Sequence, residues 1–272
     1  MGGKEPIDNK KITETMKRIK KMLIASVAAI LLLAFSITNL FRQNTDIAAK
    51  AVAAPAYPEE ISFYDYEGKI KIREELDSEF LNSLREFSYR TSASVLSMSD
   101  RRENQLFSPV SLYMALALAA GSGAGDTREE IAAVICMDNM DMEMIDEQTS
   151  RLFKRLFFKN EIGSLILANS LWLDKSVDFK KEFLENAAEN YYAHMFQVDF
   201  RDKETQELIN QWIQQFTGDK LGKESTSKSI SPEQVMALIN TVFFQDEWTD
   251  RFNTEKTRED IFYLEDGSTV TT

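Results

Sequence analysis

Apolar residues recur at helical spacing from Leu76 onward. Leu76, Phe80, Leu84, Phe87 and Val95 share a stripe in LDSEFLNSLREFSYRTSASVLS, which predicts an amphipathic helix. Phe107-Ser108-Pro109 then sets a capping hydroxyl before a proline at the first helical position. The helix predicted there runs through a small-residue stretch and stops at Gly121, Gly123 and Gly125. Thr127 and Glu130 fit a capping box for a further helix, EEIAAVICM, with Cys136 at an apolar helical position. SLILANSLWLD reads as a strand, VDFKKEFLENAAENYYA as an amphipathic helix, and MFQVDF as a short strand. KETQELINQWIQQFTGDK returns to helix, with Leu208, Ile209, Trp212 and Phe216 on one stripe. DIFYLEDGSTVTT reads as a hairpin turning at Glu265-Asp266-Gly267.

One segment breaks its own pattern. LINTVFFQDEW carries the run Leu238, Ile239, Val242, Phe243 and Phe244, which suits a strand buried on both faces, yet Asn240 and Thr241 sit inside it. A buried amide must find partners, because an unsatisfied one costs about 1–3 kcal/mol. Just upstream, Ser231-Pro232-x-Gln234 resembles a capping box, so 232–238 could open a helix; the apolar run favours strand from about residue 236.

The N-terminus has a different composition. Residues 1–21 form a basic leader with Lys4, Lys10, Lys11, Lys17, Arg18, Lys20 and Lys21. Residues 22–41 carry no charge and are long enough to cross a hydrocarbon core as a helix. The basic flank keeps the leader inside and exports the downstream chain. Residues 22–41 read as a signal anchor, or as a signal peptide cleaved in AAKAVAAPA, where Ala49-x-Ala51 and Ala51-x-Ala53 both qualify. Residues 42–68 lack periodicity and read as a linker to the domain at 69–272.

Charge and chemistry narrow the function mostly by exclusion. A net charge of −12 argues against nucleic acid as a partner. The single cysteine forbids an internal disulfide, and the single histidine, His194, has no triad or metal-ligand companion and reads as a structural or surface histidine. GSGAGDT lacks the lysine of a phosphate loop and comes after a helix, so it reads as a connector. No nucleophile elbow, zinc-binding helix or paired C-x-x-C occurs. The residues point to no catalytic site, metal or cofactor.

Taken in order, these segments resemble the serpins. NQLFSPVSLYMALALAAGSGAGDTREEI is similar to the family's N-x-x-x-S-P-x-S helix start, small-residue helix and glycine connector ending in G-x-T. SLILANSLWLD resembles the second strand of the large sheet, INQWIQQFTGDKLGK the helix crossing it, and LINTVFFQDEWTDRF its third strand. The chain departs from the family at turns: Gln245-Asp246 replaces Lys-Gly, Asp219 falls in T-x-G-K, and Ser122 replaces a glycine.

The resemblance implies an α+β fold: helices on a large mixed β-sheet, part of a second small sheet or barrel, and a C-terminal portion missing. It implies a sheet that parts to admit a cleaved reactive loop. Asn104, Ser108, Ser111, Asn240 and Thr241 would form the polar gate beneath the parting point. Trp248 and Phe252 would mark the upper end, where insertion begins, and Trp212 would lie on the sheet-crossing helix. Without the resemblance, the residues favour the plainer reading, in which Asn240 caps a buried network that does not switch.

The function implied is inhibition of a target protease of the serine class, or in some members the cysteine class, with no enzymatic activity of its own. The reactive bond lies outside this sequence, so the strand at 236–244 is expected to show an unpaired edge. The rivals are a non-inhibitory serpin-like surface binding or scaffold protein, an inactive fragment, and an envelope enzyme. The domain is expected on the extracellular side, anchored through 22–41 or secreted. Protease added to intact cells should therefore digest residues beyond about 57; complete protection would overturn that topology.

Overall fold

A computed structural model describes residues 47, 50–98, 105–222, 231–264 and 266–272. The leader and the apolar span at 22–41 lie outside these residues. Among the described residues, no helix is long and apolar enough to cross a membrane.

Among the described residues from Tyr66 to Leu156 lie α1 (Tyr66–Lys71), α2 (Ser78–Met98), α3 (Pro109–Ser122), α4 (Asp126–Val134) and α5 (Met142–Leu156). Next come β1 (Phe158–Lys159), β2 (Ser164–Asp174), α6 (Lys181–Asn190), β3 (Ala193–Val198), α7 (Lys203–Phe216) and β4 (Met236–Gln245). A hairpin of β5 (Ile261–Tyr263) and β6 (Thr269–Thr271) closes the series, with Gly267 at φ +81 in its turn.

β2 is the centre of a mixed sheet. β4 runs antiparallel along it from Ser164↔Gln245 to Leu173↔Met236. On the other side, β1 pairs antiparallel at Ser164 and Leu165, and β3 pairs parallel from Asn169 to Asp174. Strand alternation sorts the side chains into two layers. Leu167, Leu171 and Leu173 of β2 join Phe80, Phe87, Tyr113, Leu118 and Phe153 from α2, α3 and α5. Ala168 and Trp172 face the other way, with Phe196, Ile209 and Trp212, and α7 covers that side. The mixed sheet, its helices and the separate hairpin match the expected fold class.

Three local expectations fail for identifiable reasons. Cys136 lies beyond α4 at φ +60 and half-exposed, because the helix already ends at Val134. The Thr127–Glu130 capping box does not form, since α4 starts two residues earlier than that box implies, with Gly125 as its N-cap. The stretch 42–68, expected as a linker, is packed on the domain where it is described. Ile47 is only 3% exposed in the cluster beneath α7. Val52 donates to the Met195 carbonyl at 2.7 Å, and Met195 donates to Ala53 at 2.8 Å, covering the outer edge of β3. The Tyr57 ring lies 5.4 Å from Phe157, 6.2 Å from Tyr192 and 5.9 Å from Phe216, touching both layers beside the residues that lead into β1 and β3. One bridge and a few anchors on a ready-made edge leave no period to read.

His194 is a β3 residue buried among Tyr57, Phe196, Trp212 and Phe216. Its Nδ1 has no partner, and burial pulls its pKa from 6.5 to about 4. Between those values the unfolded chain binds a proton that the folded chain refuses, so stability falls as pH falls. From pH 7 to pH 5 this should cost about 2 kcal/mol, checked by urea titration against His194→Phe, which should lose correspondingly less. Equal losses in the two proteins would contradict it.

Candidate functional site

The site begins at the start of α3. Ser108 is its N-cap, extended at φ −115, and its hydroxyl accepts from the Ser111 amide at 3.2 Å, with Pro109 at the first helical position. Capping fixes the first turn, and the Ser111 hydroxyl donates to Oδ1 of Asn240 in β4. Asn240 Nδ2 donates to Asn169 Oδ1 at 2.7 Å, and Asn169 Nδ2 donates to the Tyr191 carbonyl at 2.6 Å. Asn169 and Asn240 stand directly opposite each other in the antiparallel register.

A relay of hydrogen bonds thus crosses from a helix through two strands to the residue after α6. All its side chains are neutral amides and hydroxyls, so the relay itself does not titrate. Leu238 and Val242, the same-face neighbours of Asn240, pack into the helix-side core. The relay is therefore a polar thread in an apolar layer, where each bond is strengthened and each orphan is costly.

The predicted residues separate in space. Ser111 and Asn240 meet. Ser108 supports them from behind as a cap. Thr241 points to the opposite face, as alternation requires, and its buried hydroxyl has no partner. Asn104 lies outside the described residues. Trp248 and Phe252 lie past the end of β4, paired edge-to-face at 5.7 Å and 72% and 75% exposed. Trp212 is fully buried on α7, and its indole N–H has no partner. Sequence reasoning misses Asn169 and Tyr191. Asn169 carries the same signal as Asn240, an amide inside an apolar strand; a backbone carbonyl such as that of Tyr191 carries none.

β4 pairs only with β2 among the described residues, leaving its other edge open with Phe244 66% exposed. Among the described residues, no group of three or more His, Cys, Asp or Glu could hold a metal ion.

Comparison with known proteins places this geometry in context. A family model described as Serpin (serine protease inhibitor) matches residues 82–272. Serpin-Z1C of Triticum aestivum is 32% identical over 174 residues, 62% of this chain and 43% of that protein. Serpin-Z2B of Triticum aestivum is 31% identical over 192 residues, 68% of this chain and 48% of that protein. Tengpin, a thermophilic serpin solved in its latent state, superposes with TM-score 0.63 at 29% identity, over 73% of this chain and 52% of that one. Arabidopsis AtSerpin1, in a native stressed conformation, gives TM-score 0.65 at 24% identity over 73% and 51%, a likeness of fold. The chain spans about half the length of these relatives.

Thr241→Val removes a buried hydroxyl that makes no bond, so the folded chain should gain about 1 kcal/mol, read as a higher urea midpoint. A loss of similar size would show that the hydroxyl is bonded after all.

Proposed function

The chain belongs to the serpin family, and from that premise we propose that the complete protein inhibits serine endopeptidases by taking its cleaved reactive loop into the large sheet beside β4. Ser111, Asn240 and Asn169 serve as the latch of that sheet. The observation that carries this reading is the amide of Asn240, held between a helix hydroxyl and a second strand amide in an otherwise apolar strand.

A purely apolar contact between α3 and β4 would resist sliding at every position, because close-packed side chains interdigitate. Hydrogen bonds between small neutral groups can instead be broken and remade with new partners at a net cost of about 1 kcal/mol each. That suits an element with two arrangements. The open edge of β4 offers unpaired backbone groups to an incoming strand, and the exposed Trp248–Phe252 pair stands at the end where it would first arrive. The names of the AtSerpin1 and tengpin structures speak of a native stressed and a latent state for those proteins, in keeping with a sheet of more than one form.

The protease-cleaved loop would be supplied by sequence beyond Thr272 in the complete protein. The basic leader and apolar span at 1–41 would hold the inhibitor on the outer face of a membrane.

Incubating the complete protein with a panel of serine endopeptidases tests the reading. A covalent complex that survives denaturing electrophoresis should form with at least one of them. Asn240→Ala should change the ratio of complexed to merely cleaved protein by about tenfold, the effect of one lost hydrogen bond on an insertion rate. Cleavage without any complex across the panel would favour a non-inhibitory binding role instead.

A further inference from the structure

We propose that Tyr191 is a positioning residue of the latch, fastening the β2–β4 segment to the helix layer at a second point, Asp146, coupled through Asn169 to the first point, Ser111. This rests on the latch reading of the preceding section.

Tyr191 is engaged at both ends. Its carbonyl accepts from Asn169 at 2.6 Å and so fixes the amide that in turn orients Asn240. Its hydroxyl donates to Oδ1 of Asp146 on α5. The other oxygen of that carboxylate accepts from Asn186 of α6 at 2.9 Å, and Asn186 accepts from Asn190 at 2.6 Å. Burial, and then the neighbouring carboxylate, push the phenol well above its ordinary pKa, so the hydroxyl remains a donor.

The backbone around Tyr191 is equally constrained. The ring is fully buried, and a Cβ added at Gly121 of α3 would lie 3.4 Å from its hydroxyl. Tyr192 comes next, in the left-handed region at φ +51, a conformation costly for a bulky residue. Its ring is held there by stacking on Phe153 of α5, with centroids 3.9 Å apart and planes 4° from parallel. The carbonyl that ends the relay therefore has its place set by α5, not by β3 alone.

The consequence is mechanical. The strands cannot slide over α3 and α5 by breaking the Ser111–Asn240 bond alone, since Tyr191–Asp146 ties the same segment to α5. Freeing either point loosens the orientation of Asn169 and weakens the other.

Amide hydrogen exchange on the full chain tests this, comparing wild type, Tyr191→Phe, Asn240→Ala and the double variant. Each single change should speed exchange of the amides in 236–245 by about tenfold, the loss of roughly one hydrogen bond. The double variant should exchange more slowly than the product of the two effects predicts, because coupled sites are not additive. Strict additivity, or no effect of Tyr191→Phe, overturns the positioning role while the latch stands. No effect of Asn240→Ala removes the latch and this inference with it. Should Tyr191→Phe fail to fold, Asp146→Ala takes its place, and Asp146→Asn, which keeps an acceptor for the phenol, should restore wild-type exchange. Faster exchange spread evenly into α2 would mark a purely structural residue and also overturn the proposal.

Discussion

An amide has been placed where hydrophobic packing would be cheaper, and much of the molecule is arranged around that choice. Asn240 can lie half-buried in the middle of an apolar run only because Ser111 and Asn169 satisfy it from two directions. Ser111 is in reach because Ser108 caps α3 and fixes its first turn. Asn169 is in reach because β2 and β4 hold one register from Ser164↔Gln245 to Leu173↔Met236. A slip of β4 by one residue would turn Asn240 to the α7 face, away from Ser111, and leave Asn169 without its amide partner. The relay thus helps specify the register that makes it possible.

The two faces of the sheet are held differently. On the helix side, the polar relay lies within a core built from α2, α3 and α5. On the other side, α7 rests on an aromatic bed of Trp172, Phe196 and Trp212, where Trp172 stacks on Phe196 at 4.0 Å. Several polar atoms on that side have no partner, including Trp212 Nε1, His194 Nδ1 and Thr241 Oγ1. The α7 face is therefore fastened mainly by apolar contact, without direct bonds to these groups, while the helix face is fastened by directed bonds. A directed bond can be exchanged for another; apolar contact has to be parted.

Much of the fold is legible in the sequence because its signals are local. β2 matches SLILANSLWLD residue for residue, and β4 begins at Met236, where the apolar run outweighs the apparent capping box at Ser231. The site is legible in part. Asn240 announces itself as a polar residue in an apolar strand, and Ser108 as a cap before Pro109. Thr241 groups with Asn240 by proximity in sequence, although alternation sends it to the other face. Asn169 carries the same signal as Asn240, but its partner lies in a distant strand whose register the sequence does not show. The part of Tyr191 that matters is a backbone carbonyl and a phenol, twenty or more residues from their partners and invisible until the chain is folded. The docking of Ile47 and Tyr57 is hidden for a related reason: it depends on an edge that other segments build.

The central claim is that the sheet parts beside β4 and that Asn240 changes partners when it does. The most direct measurement is a crystal structure of the complete protein after cleavage of its reactive loop. The account predicts a new strand paired with the free edge of β4 and Asn240 no longer bonded to Ser111. An unoccupied β4 edge with the Ser111–Asn240–Asn169 relay unchanged would contradict it.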